Sequence, residues 1–253
     1  MEITELIPIP NGINQGVSPA HQHTMLALLG SPRGSFAADC QEVTNPTLAR
    51  LIVTEDLGPF RVHGLRPAVE TLQAIFADIK RENPEVFAAL GTAGMLCARF
   101  VRGSQTSISN HSWGTAIDLK LKGQLDARGN GKVQAGLAAI APIFNRHGYF
   151  WGAGFPTEDG MHFEASDEKI REWHAAGIFG DHLAEPPEPT LSLGDRGPAV
   201  KALQQALNAK GANLEVDGDF GRGTLAAVMD FQARNGLSVD GTVGPRTLRA
   251  LGL

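Results

Sequence analysis

The chain has 253 residues, 42% hydrophobic and 19% charged, with 22 basic against 27 acidic side chains and a formal net charge of -5. That is globular composition, long enough for one sizeable core and a small companion domain. The acidic balance and the lack of a basic tract argue against nucleic acid as a partner. No apolar run reaches bilayer length, and Met1–Pro8 lacks the basic region and long apolar core of a Sec signal peptide. The expectation is a protein with no membrane span that stays cytoplasmic until it is released or exported by another route.

Residues 1–60 are rich in Pro, Gly and Asn, and predict loops and short elements wrapped on the main core. His21 and His23 fall in such a loop, and His63 just before a helix. Over 65–82, Val69, Leu72, Ile75, Phe76 and Ile79 recur at helical spacing. Pro67 suits the first turn of that helix, and Asn83-Pro84 stops it. A shorter helix follows through Val86 and Leu90. Alternation predicts strands over 95–101, with Cys97 and Arg99 on one face, and over 116–121, with Asp118 facing away from Ile117 and Leu119. A polar glycine-rich loop spans 123–131, and a helix runs from about Lys132 to His147, with Gly148 as its stop. Tyr149–Trp151 and Met161–Glu164 read as strands. Ser166 caps a further helix that ends near Gly177. His174 and His182 read as surface positions. Cys40 and Cys97 are either a disulfide formed outside the cytoplasm or two buried thiols.

Residues 183–190 hold three prolines and two glutamates and read as an extended linker. The final segment, 191–253, contains an echo: Val216-Asp217-Gly218-Asp219-Phe220-Gly221 then Thr224-Leu225, and Val239-Asp240-Gly241-Thr242-Val243-Gly244 then Thr247-Leu248. Each copy reads as an Asp-Gly turn leading into a helix. Three helical patterns around them predict a small three-helix domain. The fold class expected for the whole is α+β, with helices packed on a small antiparallel sheet.

The chemistry concentrates in Ser109-Asn110-His111-Ser112-Trp113-Gly114-Thr115-Ala116-Ile117-Asp118 and in Asp159-Gly160-Met161-His162. Two imidazoles and one carboxylate suit a catalytic zinc that keeps one position open. The spacing of His111 and Asp118 is wrong for successive turns of one helix and suits a loop entering a strand. His162 would arrive from a neighbouring strand, with Met161 and Phe163 turned into the core. The Gly160 turn would bring Asp159 beside the attacking water as general base. Arg99, with Arg102 as the rival, would stabilise the oxyanion. Trp151 reads as core or cleft wall. Glu164 reads as a salt-bridge partner or a support for a metal ligand.

These segments resemble the M15 zinc peptidases, which include D-alanyl-D-alanine carboxypeptidases and the L-alanyl-D-glutamate endopeptidases of phage endolysins. Cys97-Ala98-Arg99-Phe100 and Tyr149-Phe150-Trp151-Gly152 extend the likeness. The resemblance implies an M15 or hedgehog-like fold over 1–182 and one zinc ion on His111, Asp118 and His162. It also implies Asp159 as base, Arg99 on substrate or transition state, and Ser109 at the substrate; Arg102 and Trp151 are further candidates for substrate contact. Gly154-Phe155-Pro156-Thr157 departs from the pattern, lacking acidic or aromatic rim contacts. Leu191–Val200, Asp217–Gly221 and Phe231-Gln232 resemble peptidoglycan-binding domain 1. Together they imply a monomeric peptidoglycan peptidase acting on the cell wall, cutting either as an endopeptidase or as a D,D-carboxypeptidase. A protein of another class, a non-catalytic wall binder with structural zinc, would want a fourth protein ligand.

Overall fold

The structure, a computed structural model, describes residues 2–179, 191–237 and 239–253. The stretch 183–190 and His182 lie outside the described residues. The chain forms two compact units, Met1–Pro186 and Pro187–Leu253, each with its own apolar core.

The first unit mixes helices with small antiparallel sheets, as expected of an α+β chain. Its N-terminal part holds β1 (Leu6–Pro8), α1 (Gln22–Leu29) and α2 (Pro46–Arg50). Asn45 caps α2 by accepting from Thr47 N and Leu48 N at 3.0 and 3.2 Å, with Pro46 at the first helical position. His21 and His23 are not in a loop: His21 is the N-cap of α1 and His23 lies inside it. β2 (Ile52–Asp56) and β3 (Arg61–Leu65) form a hairpin. His63 sits in β3, its Nδ1 2.7 Å from Thr54 Oγ1 across the hairpin.

α3 (Arg66–Glu82) buries the predicted stripe of Val69, Leu72, Ile75, Phe76 and Ile79. α4 (Pro84–Ala89) follows, and then β4 (Leu90–Gly94). The strand expected over 95–101 is therefore displaced. Residues 90–94 pair with β5 (Ala116–Leu121) until a register shift between Thr92 and Gly94, where Gly94 takes φ 127°. The chain then peels off the sheet and keeps only isolated bridges, at Ala98 and Phe100. Its backbone wraps the His111 turn instead, with Cys97 N donating to His111 O at 3.0 Å. Of the two states open to Cys40 and Cys97, the structure shows the disulfide.

β6 (Gln124–Leu125) and β7 (Lys132–Gln134) lead to α5 (Ala135–Arg146). The helix starts three residues later than its periodicity suggests, because β1 pairs with Lys132–Gln134. Next come β8 (Tyr149–Trp151), β9 (His162–Ala165) and α6 (Asp167–Ala175), which Ser166 caps through Lys169 N at 3.1 Å. The central sheet runs β4-β5-β9-β8, with β6 paired to β5. Ile117, Leu119, Leu121 and Phe163 are buried in the core, where Phe163 stacks on Phe144 of α5 at 4.0 Å. The opposite face of β5 is left to Asp118.

The second unit contains α7 (Pro198–Ala209), α8 (Arg222–Arg234) and α9 (Pro245–Leu251). The sequence echo becomes two matching amide networks. Gln204 Nε2 donates to Asp217 Oδ1, Asp219 O and Thr224 Oγ1, while its Oε1 accepts from Gly218 N. Gln232 repeats the pattern with Asp240, Thr242, Thr247 and Gly241. Each buried amide thus satisfies a turn that would otherwise leave its polar groups unpaired.

Gly114 closes the turn that carries His111. It takes φ 67°, and a Cβ there would lie 2.8 Å from Leu65 N and 3.0 Å from Gly64 Cα. Both obstacles are backbone, so Gly114→Ala is expected to cost about 2 kcal/mol or more, read as a shift in urea midpoint. A loss below about 0.5 kcal/mol, the level of an ordinary surface change, would contradict this close approach.

Candidate metal centre

Asp118 and His162 are direct partners in the β5–β9 ladder. His111 lies on a 3-10 turn, Asn110–Trp113, just before β5. His111 Nε2 is 3.2 Å and His162 Nδ1 3.1 Å from the same Asp118 oxygen, Oδ1. Among the described residues these three form the group of His, Cys, Asp and Glu side chains placed to hold a metal ion, one ligand atom from each lying within 4.8 Å of the others.

The outer hydrogen bonds decide what this cluster suits. His111 Nδ1 donates to Met95 O at 2.8 Å. His162 Nε2 donates to Glu164 Oε2 at 2.9 Å. Each imidazole spends its one neutral-state proton outward, so its inner nitrogen offers a lone pair. Two lone pairs and a carboxylate oxygen then face one point, an arrangement that repels itself unless a cation sits there. The donor set therefore fits a divalent ion of zinc type.

The electrostatics agree. Burial raises the Asp118 carboxyl, but hydrogen bonds and charge from His111 and His162 outweigh it and hold the group far below the usual carboxylate range. Burial likewise depresses His162, yet its bonds to Asp118 and Glu164 carry it up to about 10.

A cleft of about 500 Å³ opens over the cluster. Asp159 lines it, with Oδ1 buried and unpartnered and Oδ2 3.7 Å from Arg128 Nε. Burial raises the Asp159 carboxyl and Asp118 adds to that, while His162, Arg128 and His111 oppose it. Ser109, Arg99 and Arg102 also line the cleft. Arg99 is half-buried and held by its own Nη1 donating to Phe100 O at 3.0 Å, whereas Arg102 is exposed.

Three expectations change. Trp151 is fully buried and does not line the cleft; its Nε1 donates to Gly160 O at 2.7 Å, bracing the turn that presents Asp159. Met161 does not enter the core but lines the cleft. The 154–157 rim is not short of an aromatic contact, for Phe155 stands with its ring centroid 5.6 Å from that of His162. Sequence reasoning also missed Arg128, which no spacing marks within its glycine-rich loop. It missed Glu158, whose Oε1 accepts from Gly131 N at 2.7 Å and ties that loop to the Asp159 turn.

Two family models match the chain. Peptidase_M15_4, described as D-alanyl-D-alanine carboxypeptidase, matches residues 102–165. PG_binding_1, a peptidoglycan binding domain, matches residues 196–251. A zinc D-Ala-D-Ala carboxypeptidase of Streptomyces albus G is 45% identical over 65 residues, 24% of this chain and 26% of that protein. The N-acetylmuramoyl-L-alanine amidase CwlL of Bacillus licheniformis is 42% identical over 64 residues, 24% of this chain and 18% of that protein. Among solved structures, the Burkholderia AP3 phage endolysin is 49% identical, covering 26% of this chain and 25% of that one, with a TM-score of 0.25. The chain spans between 18% and 52% of the length of the curated relatives it matches. The two matches fall on the two segments whose motifs carry the resemblances, residues 102–165 on an M15 peptidase model and residues 196–251 on a peptidoglycan-binding one.

Glu164 Oε2 accepts from both His162 Nε2 and Asn110 Nδ2. Glu164→Ala is expected to weaken zinc binding by about 10- to 100-fold, measured by competition with a chromophoric chelator. Unchanged affinity would show that His162 is oriented by packing alone.

Proposed function

We propose that the chain is a zinc peptidase that hydrolyses an amide bond in the stem peptides of peptidoglycan. The carrying observation is the placement, in one cleft, of a converging His/Asp/His set beside the buried, unpartnered oxygen of Asp159. Bound zinc would supply a Lewis acid that acidifies water and polarises the scissile carbonyl. Asp159 takes the proton of the attacking water and returns it to the leaving amine. Arg99, half-buried in the cleft wall, faces the oxygen on which negative charge develops. Ser109 and Arg102 line the path of the substrate.

The finer reading is an endolysin-like L-Ala-D-Glu endopeptidase. The match to a family described as D-alanyl-D-alanine carboxypeptidase supports the second reading, removal of a terminal D-Ala. In this proposal residues 1–182 are the catalytic domain, 183–190 the linker, and 191–253 the module that holds the enzyme on the wall, its site of action. Purified wall digested with the protein separates the two bonds by end groups: new N-terminal D-Glu for the first, free D-Ala for the second.

Asp159→Ala is expected to lower kcat by about 100-fold or more while zinc affinity and unfolding midpoint hold. Retained hydrolysis would remove Asp159 from the reaction. Each unit has its own core, so deleting 184–253 is expected to leave kcat/KM on soluble stem peptide within about twofold. The same deletion should slow attack on intact wall by about tenfold or more, as expected when tethering is lost. Equal rates on wall with and without the module would contradict its anchoring role.

A further inference from the structure

An acidic chain has placed three guanidiniums, Arg99, Arg102 and Arg128, around one cleft. Against them stand the carboxylates of Asp118, Asp159 and Glu164. A divalent ion on the first of these would leave the cleft with an excess of positive charge in a protein whose net charge is -5. Such local inversion points to an anionic group on the ligand.

Arg128 is the guanidinium with an address. Its Nε lies 3.7 Å from Asp159 Oδ2, with the two side chains 40% and 22% exposed. That is a loose, solvent-facing pair of little strength, and it is not what holds the loop. The loop is tied down by backbone: Gly131 N donates to Glu158 Oε1 at 2.7 Å, Gly129 N to Glu158 O at 3.1 Å, and Gln134 N to the buried Asp126. Arg128 is thus a charged fork on a fixed base, able to turn from Asp159 to a ligand without disturbing the fold.

Resting on the peptidase reading, we propose that Arg128 binds a free carboxylate on the residue that supplies the leaving amine. The geometry follows from Asp159. A base that returns its proton to the leaving nitrogen lies against that nitrogen, so a guanidinium within 4 Å of the base reaches the next two atoms along the substrate. A carboxyl on the carbon bearing the nitrogen is that close. Both candidate bonds provide one: the α-carboxyl of a γ-linked D-Glu after L-Ala, and the terminal carboxyl of D-Ala. Arg128 therefore makes the cleft selective for a carboxylate over a carboxamide at this position, by a charge-assisted hydrogen bond.

The test uses the full chain with zinc and two pairs of stem peptides, each with a reduced, uncleavable link at one of the two candidate bonds. Within a pair, the carboxyl next to the leaving nitrogen is free or is a carboxamide. Isothermal titration is expected to show about tenfold tighter binding of the carboxylate member of one pair, the size of one charged hydrogen bond. Arg128→Gln should abolish that preference and Arg128→Lys should keep part of it. Equal affinity for both members of both pairs, or a preference that survives Arg128→Gln, overturns the assignment. Cleavage of the natural peptides is scored separately. Carboxylate-selective binding lost in Arg128→Gln supports this inference even where nothing is cut, an outcome that would count against the hydrolase reading instead.

Discussion

The site depends on one cross-strand register. Asp118 of β5 stands opposite His162 of β9, which is why an aspartate and a histidine separated by 44 positions share one oxygen–nitrogen contact of 3.1 Å. Side chains alternate along a strand, so a slip of one residue would turn Asp118 into the core and Ile117 or Leu119 into the cleft. The hydrophobic alternation that seats Ile117, Leu119 and Phe163 in the core is therefore also what aims Asp118 and His162 at each other. The fold holds the register by burying the odd-numbered side of β5, and the chemistry occupies the other side.

Much of this is legible in residues alone, because it rests on local rules. The α3 stripe, the Ser166 cap and the alternation of 116–121 need only periodicity and capping chemistry. The metal set needs only donor types and a turn marked by Gly114. What sequence reading misplaces depends on distant partners. Lys132–Gln134 continues a helical pattern, yet pairs with β1 over a hundred residues earlier. Residues 95–101 alternate like a strand, but the sheet place is already taken by Leu90–Gly94. Trp151 resembles a cleft residue in its motif, and its indole is needed inside to hold Gly160. Arg128 carries no local signal, since its relevance comes from the contact with Asp159.

The second unit shows the same economy of means at a smaller scale. A core with nine buried apolar side chains among the described residues leaves its Asp-Gly turns exposed to unfolding unless their polar groups are satisfied. Gln204 and Gln232 each reach from a helix into one such turn and fill donor and acceptor positions together. The echo in the sequence is thus the trace of one interaction used twice, and Gly218 and Gly241, at φ 79° and 70°, supply the left-handed backbone it requires.

Glu164 extends the candidate metal site into the rest of the first unit. One carboxylate accepts from Ala20 N at 3.0 Å, from Asn110 Nδ2 at 2.9 Å and from His162 Nε2 at 2.9 Å. It therefore joins the N-terminal wrap, the His111 turn and His162 in a single buried knot. Pro19, Ala20 and Gln22 of that wrap are also a wall of the cleft, and Asp167 and Glu168 hold it by accepting from His21 N and Ser18 N. Removing the wrap would leave a buried carboxylate short of a donor beside His162, which costs more than the lost bond itself. The irregular first residues are in this sense part of the site: they wall the cleft, and they complete the hydrogen bonding that fixes which nitrogen His162 turns toward Asp118.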